Sequence, residues 1–217
     1  MALAIFDLDN TLINGDSDHA WGNFLVDQKK VDAKVYEQAN HQFYLDYKNG
    51  VLDINEYLHF CLKPLAVYSQ DELTELHQLF MDTVISDMML DQAKALLKKH
   101  KDQGDYLLII TATNEFVTGP IAKVLGVDDL IASQCEIIDG KYTGKPTGTP
   151  SFQDGKITRL NEWLKSNPMD LEGSYFYSDS HNDLPLLKMV THPIAVDADE
   201  TLTQYAKGQN WEIISLR

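Results

Sequence analysis

The nine residues AIFDLDNTL (4–12) decide the fold of this chain. They complete an apolar run, Leu3–Phe6, which predicts a short buried β-strand. Two carboxylates, Asp7 and Asp9, follow the run directly, and no basic residue stands beside them. In open α/β sheets the functional site lies beyond the carboxyl ends of the strands, so we interpret the two acids as part of such a site.

The second half of the sequence alternates between apolar runs and stretches with helical periodicity. Strands are predicted at 106–110, 130–138, 174–177, 193–196 and 211–214, and helices at 91–100, 121–125, 156–165, 184–189 and 201–207. Strands buried on both faces that alternate with helices are typical of a doubly wound parallel sheet. We therefore predict an α/β fold of this kind.

Residues 15–86 interrupt this alternation just after the first strand. Helical spacing is found at 19–30, 31–48, 54–65 and 70–84, with no clear strand between them. We predict an all-helical domain, residues 15–86, inserted into a core domain made of residues 1–14 and 87–217. The sequence has no Walker loop and no G-x-G-x-x-G, which excludes the nucleotide-binding classes that depend on them.

The composition limits the partners of the chain. Its 217 residues carry a net charge of −15, which repels nucleic acid and anionic membranes, and also a phosphorylated substrate unless a cation is present. No apolar run approaches the about 20 residues of a membrane span, and the start is too short for a signal peptide. Cys61 and Cys135 form no metal-ligand pattern. We expect a cytoplasmic protein that acts on a small metabolite; its oligomeric state is left open.

Polar residues follow three of the predicted strands. They are Asp7, Asp9 and Thr11 after the first, Thr111 to Asn114 after the second, and the run SDSHND (178–183) after a later one. Clustered carboxylates raise one another's pKa, and a hard divalent cation such as Mg²⁺ relieves the repulsion. We predict a magnesium site with side-chain ligands from Asp7 and Asp179, the backbone carbonyl of Asp9, and Asp183 in the outer shell.

A lysine at the start of a predicted helix indicates a phosphate. Lys156 follows Gly155 in the first helical turn, where a cation opposes the helix dipole at a cost of about 0.3–1 kcal/mol. A bound phosphate would offset that cost. The Thr111 hydroxyl and the backbone N–H of Ala112 are expected to bind the same phosphate.

Four short motifs resemble those of the haloacid dehalogenase (HAD) superfamily of phosphatases. They are DLDNT (7–11), TAT (111–113), GK (155–156) and SDSHND (178–183), in the same order and across nearly the whole chain. The helical insertion resembles the small cap of the phosphoserine-phosphatase-like branch. One departure is that Ser178 and Ser180 stand where that branch usually has glycines, which puts the local loop geometry in question.

The resemblance implies a mechanism. Asp7 attacks phosphorus and forms an aspartyl-phosphate, while Asp9 protonates the leaving alcohol and later deprotonates the hydrolytic water. Lys156, Thr111 and Mg²⁺ neutralise the phosphate oxygens. The cap excludes bulk water and contacts the leaving group.

The cap indicates which phosphate ester is hydrolysed. The chain has only two arginines, Arg159 and Arg217, both outside the cap, whereas the branch commonly holds a substrate carboxylate with a cap arginine. The cap lysines offer no bidentate fork; they include Lys29, Lys30, Lys34 and Lys48. The stretch GDSDHAW (15–21) also resembles HAD members assigned as histidinol-phosphatases. We expect L-histidinol phosphate as the substrate, with L-phosphoserine as the alternative.

Five residues are expected to contact the substrate: Asp16, Asp18, Trp21, His181 and Asn182. An equally simple interpretation of Asp16 and its neighbours is a helix N-cap, which needs no substrate. Two other classes of function remain: a phosphorylated receiver-like switch and an inactive phosphate-binding protein. Asp9 disfavours the switch because a second acid serves turnover, and the intact acids and Lys156 disfavour the inactive protein.

Overall fold

The central feature of the molecule is a mostly parallel sheet. The computed structural model describes residues 2–217, except for the side chain of Lys48. The described strands form one sheet in the order β4-β3-β2-β1-β5-β6-β7. Their bounds are β1 (Leu3–Phe6), β2 (Tyr106–Asn114), β3 (Asp129–Ile138), β4 (Lys141–Thr147), β5 (Tyr175–Ser178), β6 (His192–Val196) and β7 (Glu212–Ile214). The predicted α/β fold is confirmed.

Helices occupy the insertion and cover both faces of the sheet. Those of the insertion are α1 (Ser17–Asp27), α2 (Ala33–Lys48), α3 (Ile54–Leu62), α4 (Gln70–Phe80) and α5 (Ser86–Met88), with a 3₁₀ turn at Lys63–Ala66 and a π turn at Met81–Ile85. Those of the second half are α6 (Asp91–Asp102), α7 (Glu115–Leu125), α8 (Asp154–Ser166), α9 (Leu184–Leu187) and α10 (Glu200–Gln209), and a 3₁₀ turn, His181–Asp183, precedes α9. Among the described residues, no helix has the length and apolarity needed to cross a membrane.

Strand β1 lies at the centre of the sheet and alternates between its two faces. Ala4 and Phe6 pack in the apolar cluster that contains α6 and α7, whereas Leu3 and Ile5 pack in the cluster that contains α8, α9 and α10. This alternation follows from the period of two along a strand. Burial of both faces explains why the run is uniformly apolar.

The pairing of β1 determines where the site forms. β1 pairs in parallel with β2 on one side and with β5 on the other, and Asp7 N–H donates to Tyr177 O at 2.9 Å. The carboxyl ends of these three strands therefore lie side by side. These are the strand ends that carry the acids and hydroxyls of the sequence motifs.

The insertion packs directly against the core. Its two connections meet in an antiparallel bridge between Ile13 and Met89, and Asn14 N–H donates to Met88 O at 2.8 Å. One apolar cluster contains residues of β1 together with Phe24 and Leu58 of the insertion. No described residue of 15–86 lies in a strand, as the sequence predicted. The division into core and cap domains stays a prediction.

One strand was missed, and the expectation of a parallel sheet is wrong at that edge. β4 pairs antiparallel with β3 through a turn at Asp139 and Gly140, both with positive φ. The sequence of β4, KYTGKPT, contains glycine and proline and few apolar residues, so it lacks a strand pattern. Gly144 has a φ of +78°, a conformation that residues with a Cβ atom rarely adopt, and a Cβ atom here would also lie 3.2 Å from Lys63 Cα.

Candidate active site

A buried ion triad lies at the carboxyl end of β1. Lys156 Nζ is 2.7 Å from Asp7 Oδ1 and 2.8 Å from Asp183 Oδ2. Lys156 comes from the first turn of α8 and is only 3% exposed. The lysine that the sequence placed near a phosphate therefore lies at the carboxylate expected to attack it.

Thr11 joins the loops after β1 and β5. Its hydroxyl lies 3.4 Å from Asp7 Oδ2 and 3.3 Å from Asp179 Oδ1, and it accepts a bond from Asp179 N–H at 3.1 Å. The Asp7 and Asp179 carboxylates thus lie around one hydroxyl. This role for Thr11 was not predicted, although the residue belongs to the first motif.

Asp9 connects the core to the start of the helical insertion. Its Oδ1 accepts from Ser17 N–H at 2.6 Å, and its Oδ2 accepts from the Thr113 hydroxyl at 2.8 Å. The Thr111 hydroxyl lies at 3.5 Å from the same Oδ2, so Thr111 faces Asp9 in this structure. A carboxyl held in this way is positioned between the sheet edge and the insertion.

Burial changes the proton affinity of these acids. Desolvation raises the pKa of Asp7 to about 7, against the opposing charge of Lys156. Desolvation and the nearby charge of Asp16 raise the pKa of Asp9 to about 6. Burial and the charges of Asp7 and Asp183 raise the pKa of Asp179 well above its usual range. The site therefore holds more carboxylate charge than Lys156 neutralises.

This donor set fits Mg²⁺. Mg²⁺ binds oxygen and is usually held by one or two carboxylates, with water and substrate completing its shell. Asp7 and Asp179 would supply two carboxylates, and Asp9 would add a backbone carbonyl. Within residues 2–217, no cluster of three or more His, Cys, Asp or Glu side chains is already arranged around a metal position. The residues therefore fit a Mg²⁺ site in which substrate and water would supply the remaining ligands.

The acids open into one cavity, called here the catalytic cavity. Of the residues predicted for the site, it is lined by Asp7, Asp9, Asp16, Thr111, Ala112, Lys156, Asn182 and Asp183. Asp179 and His181 line a neighbouring cavity instead, and the Asn10 and Tyr47 side chains border both. The structure thus brings together most of the predicted residues.

A model of the family described as haloacid dehalogenase-like hydrolase matches residues 4–188, which include all four motifs. The chain belongs to this family. A histidinol-phosphatase of Neisseria meningitidis serogroup C is 47% identical over 99% of each chain. Phosphoserine phosphatase SerB1 of Mycobacterium tuberculosis is 30% identical over 100% of this chain and 71% of its own length. A crystal structure of a Bordetella pertussis Tohama I protein with unknown function superposes with a TM-score of 0.93, at 41% identity over 100% of this chain and 99% of that one.

Three predicted substrate residues of this HAD enzyme do not line the catalytic cavity: His181, which lines the neighbouring cavity, and Trp21 and Asp18, which are buried. Trp21 is 1% exposed and packs against a cluster of aromatic rings, namely Phe24, His77, Phe80 and Phe116. Asp18 is 3% exposed and accepts from Asn114 Nδ2 at 3.1 Å, which ties α1 to the end of β2. Both side chains are on the buried face of α1, a face that the sequence did not separate from the cavity face.

Asp16 fits both interpretations that the sequence left open. Its Oδ1 accepts from the backbone N–H groups of Asp18 at 3.0 Å and His19 at 2.9 Å, so it is the N-cap of α1. It also lines the catalytic cavity. Contact with substrate stays a prediction.

The serines that replace the HAD branch's glycines have hydrogen-bonding roles. Ser178 Oγ donates to Asp183 Oδ2 at 2.7 Å, beside Lys156. Ser180 Oγ accepts from Asn182 N–H at 3.2 Å and from the Tyr47 hydroxyl at 3.1 Å. The departure from the motif therefore leaves the acids in place and adds a bond to α2.

The sequence missed the far wall of the catalytic cavity. This wall is formed by His19, Asn40, Phe43, Tyr44, Tyr47, Leu52, Ile54 and Tyr57 of the insertion and by Phe152 of the core. Asn40, Phe43 or Tyr44, and Tyr47 recur at the three-to-four spacing of one helix face. That spacing was the available signal, but the sequence did not show which face of α2 meets the site.

Proposed function

We propose that this HAD phosphatase hydrolyses L-histidinol phosphate in a Mg²⁺-dependent reaction that passes through an aspartyl-phosphate on Asp7. The observation that carries the substrate assignment is the 47% identity to a histidinol-phosphatase over 99% of both chains. The chemistry of the cavity wall gives independent support.

In the first step an Asp7 carboxylate oxygen attacks phosphorus, and the bond from phosphorus to the alcohol oxygen breaks. Asp9 donates its proton to that leaving oxygen; a pKa of about 6, raised by burial, keeps part of Asp9 protonated near neutral pH. Water then attacks phosphorus while Asp9 takes its proton. This step frees Asp7 and releases inorganic phosphate.

Lys156 offsets negative charge throughout the reaction. Burial alone would lower its pKa, but the charges of Asp183 and Asp7 outweigh burial and raise the pKa above its ordinary value. The side chain therefore stays cationic beside the attacking carboxylate. Bound Mg²⁺ would supply further positive charge to the phosphate oxygens.

The catalytic cavity is poor in cations. Among its described lining residues, Lys156 is the only lysine or arginine, and the side chain of Lys48 lies outside the described part of the structure. Arg159 donates to Thr149 O, and Arg217 lines the neighbouring cavity, where it donates to Asn10 O at 3.2 Å. A substrate carboxylate would find no guanidinium partner in the described wall. An amino alcohol phosphate without a carboxylate suits this wall better.

The apolar part of the wall suits a flat ring. Phe43, Tyr44 and Tyr57 line the catalytic cavity, and Asp16 places a carboxyl group, which attracts an amine, in the same wall. L-histidinol phosphate has one imidazole ring and one amine. Both groups have partners of the right chemistry in this wall.

Phosphoserine phosphatase is the second candidate, favoured by the 30% identical relative from Mycobacterium tuberculosis. The test is phosphate release with Mg²⁺ from L-histidinol phosphate and L-phosphoserine side by side. We expect kcat/KM to favour histidinol phosphate by at least about 100-fold, because a polar site rejects a substrate that leaves its groups unpaired. A preference for phosphoserine would assign the second function.

The same assay tests the nucleophile. Asp7→Asn should release no phosphate above background from either substrate, while Asp87→Asn, an exposed aspartate of α5, should match the native enzyme. Full turnover by a folded Asp7→Asn protein would contradict the mechanism, whatever the substrate.

A further inference from the structure

Asp199 connects a second strand end to the loop that carries Asp179. It lies between β6 and α10, outside the four motifs and beyond residues 4–188, which the family model matches. β5 and β6 pair in parallel, with Ser178 opposite Ala195, so the segments that follow them leave the sheet side by side. Asp199 and Asp179 line the same cavity, the one that neighbours the catalytic cavity.

Three hydrogen bonds join Asp199 to the loop after β5. Its backbone N–H donates to Asp179 O at 2.8 Å. Its Oδ2 accepts from His181 N–H at 2.7 Å and, with the ring protonated at Nδ1, from His181 Nδ1 at 2.8 Å. On the other side of Asp179, its backbone N–H donates to the Thr11 hydroxyl at 3.1 Å. Residues from two other loops therefore hold the backbone on both sides of the Asp179 side chain.

Helix capping explains only one of the two carboxylate oxygens of Asp199. Asp199 is the N-cap of α10, and its Oδ1 accepts from Leu202 N–H at 2.8 Å. The carboxylates of Asp32 and Asp53, which cap α2 and α3, accept bonds from their own helices in the same way. Asp199 differs because its second oxygen binds His181, 18 residues away in the chain. The second oxygen therefore holds the loop after β5.

The position of the Asp179 carboxylate matters for a bound cation. Mg²⁺ requires nearly octahedral geometry, so displaced ligands weaken its binding. Asp179 Oδ1 and Asp7 Oδ2 lie 3.3 and 3.4 Å from the Thr11 hydroxyl, which places the two expected carboxylate ligands around one point. A loop that moved away from β1 would separate them. Residues that orient metal ligands typically change metal affinity about 10- to 100-fold when they are mutated.

We propose that Asp199 is a positioning residue for Asp179 and, by holding the loop after β5, increases the affinity of the site for Mg²⁺. The inference rests on the proposed function, since Asp179 serves as a ligand in the Mg²⁺-dependent reaction. It assigns an effect on the site to a residue that contacts neither the phosphate nor the leaving group.

The test measures the Kd of Mg²⁺ for the substrate-free protein, from the rise in Tm across a series of Mg²⁺ concentrations at constant ionic strength. Asp199→Ser keeps an oxygen that caps α10, because serine caps helices about as well as aspartate, but it has no second oxygen for His181. We expect its Kd to rise about tenfold. Turnover of L-histidinol phosphate should also need about tenfold more Mg²⁺, while kcat at saturating Mg²⁺ stays within about threefold of the native value.

Three further variants separate positioning from charge and from capping. Glu200→Gln removes a negative charge from the next residue, an exposed side chain in the same cavity wall, and should keep the Kd within about twofold. Asp53→Ala removes the N-cap of α3 and should lower the Tm in EDTA without changing the Kd. His181→Phe removes the Nδ1 bond and should raise the Kd about threefold.

The outcomes distinguish this inference from the function on which it rests. A native protein whose Tm and turnover do not respond to Mg²⁺ overturns both. A native protein that responds, together with an Asp199→Ser variant that has a lower Tm in EDTA but the native Kd, overturns only the role of Asp199 and leaves it as a helix cap. An equal rise of the Kd in Glu200→Gln overturns that role too, because charge would then be the cause. If Asp199→Ser does not fold, the native Kd in His181→Phe has the same consequence.

Discussion

At the scale of single residues, the two aspartates at the start of α1, Asp16 and Asp18, have different surroundings. Asp16 caps α1 and reaches the catalytic cavity, whereas Asp18 is enclosed between α1 and the end of β2. Burial, followed by the charge of Asp16, raises the pKa of Asp18 to about 7. A buried carboxyl that resists ionisation affects the stability of the fold more than it affects catalysis.

This shift predicts a pH dependence of stability. The folded-state pKa of Asp18 lies above the unfolded value of about 3.9, so its contribution is fully present below about pH 4 and is lost as the pH rises through about 7. Asp18→Asn keeps an acceptor for Asn114 and cannot ionise. We expect it to be more stable than the native protein at pH 8 by about 1–3 kcal/mol, with little gain at pH 4.5.

Urea unfolding at the two pH values measures this difference. Asp27→Asn, an exposed aspartate at the end of the same helix, is the control and should change stability at neither pH. An Asp18→Asn protein whose free energy of unfolding follows the native pH profile would show that Asp18 is ionised at little cost.

At the scale of elements, α2 is the helix that closes the site. Its Tyr47 hydroxyl donates to Ser180 Oγ at 3.1 Å, which ties the cap to the loop that carries Asp179. Tyr47→Phe removes this one bond and keeps the ring against Phe152. We expect kcat/KM to fall roughly three- to tenfold, because a hydrogen bond of this kind contributes about 0.5–1.5 kcal/mol.

The control for this bond is Tyr205→Phe on α10, whose ring packs on Trp211. It should leave kcat/KM unchanged in steady-state assays. If Tyr47→Phe also retains native kcat/KM, the bond between α2 and the β5 loop does not contribute to catalysis.

The elements around the site differ in how much of their structure could be predicted from the sequence. The β1 acids were predictable because a strand and the residues that follow it are local in sequence, and their edge of the sheet follows from topology. Strand β4 was not predictable, because it forms by pairing with β3 and its own sequence has no strand pattern. The side of α2 that lines the catalytic cavity was not predictable either. Helical spacing shows which residues share one side of a helix, but it does not show what that side packs against.

At the scale of the whole molecule, the distribution of charge favours binding of a cation at the carboxyl ends of β1 and β5. The chain carries a net charge of −15, and its buried carboxylates gather at the edge of the sheet where β1, β2 and β5 end. Lys156 alone pairs with Asp7 and Asp183, and Asp179 has no cationic partner in the described ion pairs. A divalent ion at Asp7 and Asp179 would complete the neutralisation.

This balance predicts that Mg²⁺ stabilises the folded protein through Asp179. A ligand at 100 times its Kd stabilises by about 2.7 kcal/mol, so saturating Mg²⁺ should raise the Tm by several degrees above that in EDTA. NaCl at matched ionic strength separates binding from general screening of the net charge. Asp179→Asn should lose most of the Mg²⁺-dependent shift while gaining stability in EDTA, because its carboxyl is buried with a raised pKa. An equal shift in Asp179→Asn, or in NaCl, would place the cation effect on the surface and not at the carboxylates of the site.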